Sequence, residues 1–98
     1  MIDYAERVAI NARRLALGLL AEAPDYRLNE AILRDMLARL GVSYFRADVQ
    51  ALLRWLEGEG LLGVEDIDGL FIATITPAGL DVAEGRARHP GVKRPGPH

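Results

Sequence analysis

Between Ser43 and Ile75 an apolar stripe at helical spacing runs through two glycines into two short alternating segments that meet at Asp68-Gly69. Phe45, Val49, Leu52, Leu53 and Leu56 recur at the intervals that place side chains on one helix face, with Ser43 as the N-cap and Gly58 and Gly60 as the stop. Asp-Gly between alternating segments is the strongest short-range signal for a two-residue hairpin turn. That turn fixes the register. Ile67 pairs with Leu70 and Glu65 with Ile72 on one face, and Leu62, Val64, Ala73 and Ile75 share the other. A helix must therefore lead directly into a two-stranded hairpin.

Two helices precede this unit. The first is predicted from about Asp3, a plausible cap, to Glu22, with Tyr4, Val8, Ala12, Leu15 and Leu19 as its buried stripe. Ile10 and Leu17, one heptad apart, fall on nearly the opposite side beside Arg13. This second line reads either as a contact for another copy, through Ile10, Arg13 and Leu17, or as ordinary exposed apolar residues. Pro24 makes AEAPDYR a loop. The second helix begins at Asn29, with Glu30 favourably placed in its first turn and Leu28 and Leu33 spaced as a hydrophobic staple. Ile32, Leu33, Met36, Leu37 and Leu40 form its buried face, and Gly41 ends it. Only Gly41 and Val42 separate it from Ser43, a connection that suits a helix-turn-helix.

Downstream of the hairpin, Thr76 caps a short fourth helix with Pro77 at its first position. Leu80 and Val82 or Ala83 pack it back, and Gly85 ends it. The reading is one domain over residues 1–85. Residues 86–98, RARHPGVKRPGPH, are too poor in apolar groups to fold alone and are expected to form a flexible basic tail.

The chain has 98 residues and no cysteine, which excludes disulfides and thiolate chemistry. No apolar run approaches the roughly 18 residues of a membrane span, and acids stand where a signal peptide needs bases, so a cytoplasmic location is expected. Residues 1–85 carry all 14 acids against 8 arginines, while the last thirteen residues carry Arg86, Arg88, Lys93 and Arg94 and no acid. An acidic domain is a poor overall match for a phosphate backbone, so any such binding depends on local patches or on the tail. The tail reads either as an arm that follows phosphates or as a solubilising terminus.

Gly58-Glu59-Gly60-Leu61-Leu62-Gly63 matches the glycine string of dinucleotide sites. That mechanism needs a strand before the glycines and a helix after them, and here the order is reversed. The glycines instead stop a helix and enter a strand. Both histidines, His89 and His98, lie in the tail, and pairs such as Glu57 with Glu59 read as solvated charges, so neither an enzyme nor a metal site is expected. No cofactor is expected.

The outward face of the third helix carries Ala47, Ala51 and Arg54, flanked by Tyr44, Asp48, Gln50 and Trp55. In a major groove Gln50 suits adenine and an arginine suits guanine, while small residues permit close approach. Tyr44 and Arg46 at the helix start could hold phosphates. Asp48 on the helix, and Glu65, Asp66 and Asp68 on the hairpin, oppose this by repelling phosphate. The competing reading is a helix whose small residues receive another protein, with Ile67, Leu70 and Ile72 as further docking residues. Trp55 reads as a packing residue at the helix edge.

The run LLRWLEGEGLLGVEDIDGLFIATITPAGLDVAEG, with ARHPGVKRP after it and LLAEAPDYRLNEAIL before it, resembles small winged-helix proteins encoded by Mu-like prophages and described as ArsR-like regulators. The likeness covers nearly the whole chain. Its WLE-x-x-GLL and T-x-x-G-x-x-VA elements recur across many winged-helix regulators, so they specify the fold more than the activity. The fold it implies is mainly α with a small β-hairpin: a winged helix-turn-helix of three helices, a two-stranded wing, a short C-terminal helix and a basic tail. The function it implies is that of a homodimeric regulator binding double-stranded DNA through Tyr44, Arg46, Ala47, Gln50 and Arg54 of the third helix. Lys93 and Arg94 of the tail would add phosphate contacts. The departures are the acidic wing and the absence of the cysteine or histidine ligands of metal-sensing relatives. Metal sensing is not implied.

Overall fold

The computed structural model describes residues 2–95 of the chain. In order these form α1 (Tyr4–Glu22), a 3-10 turn at Pro24–Tyr26, β1 (Arg27–Asn29), α2 (Glu30–Arg39), α3 (Arg46–Gly58), β2 (Leu62–Ile67), β3 (Leu70–Ile75) and α4 (Pro77–Ala83). The result is a small α+β domain, with four helices and one antiparallel sheet of order β1-β3-β2. Among the described residues no helix is long and apolar enough to cross a membrane.

Three of the four helix starts lie where the caps in the sequence put them. Asp3 accepts from the Glu6 N–H at 2.8 Å, Asn29 from the Ile32 N–H at 2.9 Å, and Thr76 from the Gly79 N–H at 3.1 Å. The start of α3 differs. Ser43 is not its cap; the helix begins at Arg46, and the Asp48 carboxylate reaches back to accept from the Phe45 N–H at 2.9 Å. A carboxylate in the first turn is favoured by the helix dipole and is the stronger acceptor. Phe45 thus falls outside the helix and is 74% exposed, not part of the core stripe.

The hairpin has the expected register, Ile67 opposite Leu70, Glu65 opposite Ile72 and Val64 opposite Ala73. Asp68 and Gly69 both have positive φ, 51° and 90°, as this two-residue turn demands. The third strand was not legible. β1 lies at the end of what reads as a loop, pairing Leu28 with Ala73 and Asn29 with Ile72. Three residues with one apolar side chain carry no measurable alternation. Long-range pairing to the free edge of β3 makes them a strand.

The core joins Ala12, Ala16, Leu17 and Leu20 of α1 to Leu33, Leu37, Val49, Leu53, Leu56 and the inner sheet face. Two expectations fail here. Tyr4 is 82% exposed, and Leu17, assigned to a contact with a second copy, is fully buried in its own monomer. Leu17 is covered because α1 packs against α2, α3, α4 and β3 together, so a single stripe does not describe its buried side. On α2 the buried seam is Glu30, Leu33 and Leu37, leaving Ile32 and Leu40 about half exposed.

The C-terminal segment supplies a further correction. Residues 86–95 are not a free tail: Val92 is buried, the Lys93 N–H donates to the Ile10 carbonyl at 3.3 Å, and Arg13 Nη1 donates to the Gly91 carbonyl at 2.9 Å. Gly91 lies against the Trp55 ring, where a Cβ would come within 2.6 Å of it. The Arg13 guanidinium stacks over the same ring at 3.8 Å. One apolar residue with two sequence-distant partners is enough to dock a segment that cannot fold alone. The part of the expected tail from 96 to 98, including His98, lies outside the described residues.

Candidate functional site

Helical geometry turns Ala47, Ala51 and Arg54 away from the buried Val49, Leu52, Leu53 and Leu56 side of α3. Both alanines and Arg54 are exposed. This outward strip is the centre of the site, and each of its two flanks is built by a different part of the chain.

On one flank the hairpin turn is tied to α3 through a buried carboxylate. Glu30 is 3% exposed. Its Oε1 accepts from the Phe71 N–H and from Gln50 Nε2, each at 2.9 Å, and its Oε2 accepts from Arg46 Nε at 3.4 Å. Arg46 Nη2 and Gln50 Nε2 also donate to the Gly69 carbonyl, at 2.6 and 3.1 Å. Burial pushes the Glu30 carboxyl up, but the bonds from Phe71, Gln50 and Arg46 together outweigh it and hold the group below the usual carboxylate range. Two side chains that the sequence assigns to reading DNA thus fix the angle between helix and hairpin. Nothing in the helical pattern marked Glu30, except that it lies on the Leu33/Leu37 seam.

Glu57 ties the same flank lower down, accepting from Arg54 Nη1 at 2.8 Å and from the Val64 N–H at 3.2 Å. The second bond occupies a donor on the outer edge of β2, an edge otherwise open to pairing with another strand. The hydrogen bond from Arg54 is the main reason the Glu57 carboxyl lies below its usual range, with burial opposing it. Arg54 also packs over the Phe71 ring at 4.4 Å and keeps about half of its side chain exposed. Only Nη1 of its guanidinium is used by Glu57.

On the other flank α1 and the C-terminal segment meet α3 at Trp55. His89 Nε2 lies 2.8 Å from Glu59 Oε1 just beyond the end of α3, and the His89 and Trp55 rings meet edge to face at 5.4 Å. A groove of about 510 Å³ opens between α1 and α3, lined by Tyr4, Val8, Ala9, Tyr44, Ala51 and Trp55 among others. Burial, and then the charge of Asp48, raises the Tyr44 phenol. It remains a neutral donor rather than an anion.

Of the residues assigned to DNA, Ala47 and Arg54 lie on the outward strip, Tyr44 is half-buried in the groove, and Arg46 and Gln50 are committed to Glu30 and Gly69. Lys93 and Arg94 are exposed on the docked segment. The face assigned to a dimer is occupied by the chain itself, since Ile10 and Arg13 hold the C-terminal segment and Leu17 is buried. On the hairpin Ile67 and Leu70 are 46% and 38% exposed, and Ile72 is half-buried.

Comparison with known proteins adds a lineage. No protein-family model and no solved structure matches the chain. Over 69 residues, covering 70% of the chain and 72% of the relative, it is 46% identical to the uncharacterized protein gp26 of Escherichia phage Mu. The chain belongs to the Mu gp26 family. An uncharacterized protein of Haemophilus influenzae is 37% identical over 76 residues, 76% of the chain and 74% of that protein. The expected association with Mu-like phages therefore stands.

Proposed function

We propose that the chain is a winged-helix protein of a Mu-like phage that binds duplex DNA through the outward face of α3 and acts as a regulator of transcription. The fold reading is supported by the order helix, strand, helix, helix, hairpin, helix and by the sheet order β1-β3-β2, although the link between α2 and α3 runs from Leu40 to Phe45 and is longer than the Gly41-Val42 connection read from the sequence. The single observation that carries the function is the strip Ala47, Ala51 and Arg54. It is exposed, narrow enough at the alanines for close approach to base edges, and ends in a guanidinium with free donors. Arg46 and Gln50 support this strip by aligning the hairpin beside it. From the resemblance to ArsR-like regulators the fold alone is taken, and no metal response is proposed.

Arg54→Ala tests this reading. Its ion pair with Glu57 is at the surface and contributes little, so loss of its packing on Phe71 should lower stability by no more than about 1 kcal/mol, while affinity for a bound duplex should fall by about 1 to 3 kcal/mol. Fluorescence anisotropy with labelled duplex measures the second and thermal unfolding the first. Unchanged affinity would remove α3 as the reader.

A second reading is favoured by the exposed pair Ile67 and Leu70 on the acidic hairpin: docking of another protein there. Salt separates the two. DNA binding weakens steeply as salt rises, whereas apolar docking changes little.

A further inference from the structure

We propose that the docked C-terminal segment supplies the phosphate contacts that the acidic hairpin cannot, through Arg88, Lys93 and Arg94. This rests on the duplex-DNA reading of α3 and assigns to a second surface the role that a basic wing would have filled.

The outward strip of α3 has two flanks of opposite charge character. The hairpin flank carries Glu65, Asp66 and Asp68, and its neighbouring cations are already engaged, Arg27 with Glu65 and Arg46 with Glu30. The other flank begins at the end of α3, where His89 meets Glu59 and Gly91 lies on Trp55, and continues across α1 at Ile10. No acid follows Glu84 in the sequence. Arg86 is neutralised by Asp81 and Glu84, but Arg88, Lys93 and Arg94 have no acidic partner among the described residues.

These three side chains line one cleft of about 70 Å³ with Val82, Gly85 and Pro95. Because the segment is already held by Arg13, Val92 and the Lys93 N–H, the backbone that carries these cations is positioned before binding. Less freedom is then lost on association than with a free arm.

The test is affinity for a labelled duplex across a range of salt concentrations, with the wild-type chain, the double variant Lys93→Ala/Arg94→Ala, and Gly91→Ala. The double variant should bind more weakly and lose about 2 from the slope of log affinity against log salt, about one per phosphate contact removed. Gly91→Ala keeps every charge but drives a Cβ into Trp55, so it should undock the segment and weaken binding several-fold. A wild-type slope in the double variant overturns the proposal. Wild-type binding by Gly91→Ala overturns the docked arrangement in favour of a free arm. A wild-type chain that binds no duplex even at low salt overturns the DNA reading, and this proposal falls with it.

Discussion

Gly79→Ala is expected to cost at least about 3 kcal/mol, or to leave the domain unfolded at 37 °C. A Cβ at Gly79 would lie 1.9 Å from the Leu61 carbonyl oxygen and 2.7 Å from Ile75 Cγ1. Neither neighbour can yield cheaply. The Leu61 carbonyl already accepts from the Thr76 N–H at 3.1 Å, and the Thr76 hydroxyl both donates to the Gly60 carbonyl at 2.8 Å and accepts from the Gly79 N–H. The first turn of α4 is therefore fastened to the corner between α3 and β2, and moving it to admit a methyl group breaks those bonds. Gly18→Ala is the control. It lies inside α1 with nothing within 4 Å of an added Cβ, so alanine should be neutral or stabilising by about 0.5 to 1 kcal/mol. Thermal unfolding followed by circular dichroism compares the two.

Glu30→Ala should cost about 2 to 4 kcal/mol, chiefly by leaving the buried Phe71 N–H without an acceptor and releasing Gln50 and Arg46 from one partner. Its effect should also depend on pH. The folded carboxyl is held below its ordinary value of 4.5. Its stabilisation is thus complete above that value and is lost as pH falls through the lower folded value. The stability difference between the wild-type chain and Glu30→Gln, measured by urea unfolding, should shrink between pH 7 and pH 3. A difference that stays constant across this window would show that the charge of Glu30 is not what matters.

The sequence disclosed most of the helices and the hairpin because their signals are local. Asp3, Asn29 and Thr76 each announce a cap within three residues of the group they satisfy, and Asp68-Gly69 fixes a register through two positive φ angles. What escaped depends on distant partners. β1 exists because β3 has a free edge. The C-terminal segment is ordered because Trp55 and Ile10, far away in sequence, receive Gly91 and Lys93.

The site shows the same division. The outward position of Ala47, Ala51 and Arg54 follows from helical periodicity alone. The capture of Arg46 and Gln50 by Glu30 could not be read, because it requires the hairpin to fold back over α2 and α3. The burial of Leu17 was hidden for a related reason, since a helix enclosed on several sides has no single apolar stripe.

The proposed reader of duplex DNA is the outward strip of α3. Selection of binding sites from a random pool of duplexes tests it most directly, using the wild-type chain and Ala47→Glu, which places a carboxylate at the exposed centre of the strip without touching the core. The wild-type chain should enrich a common sequence, and Ala47→Glu, folded to the same extent, should enrich none. Failure of the wild-type chain to enrich any sequence, or enrichment of the same sequence by Ala47→Glu, would contradict that role.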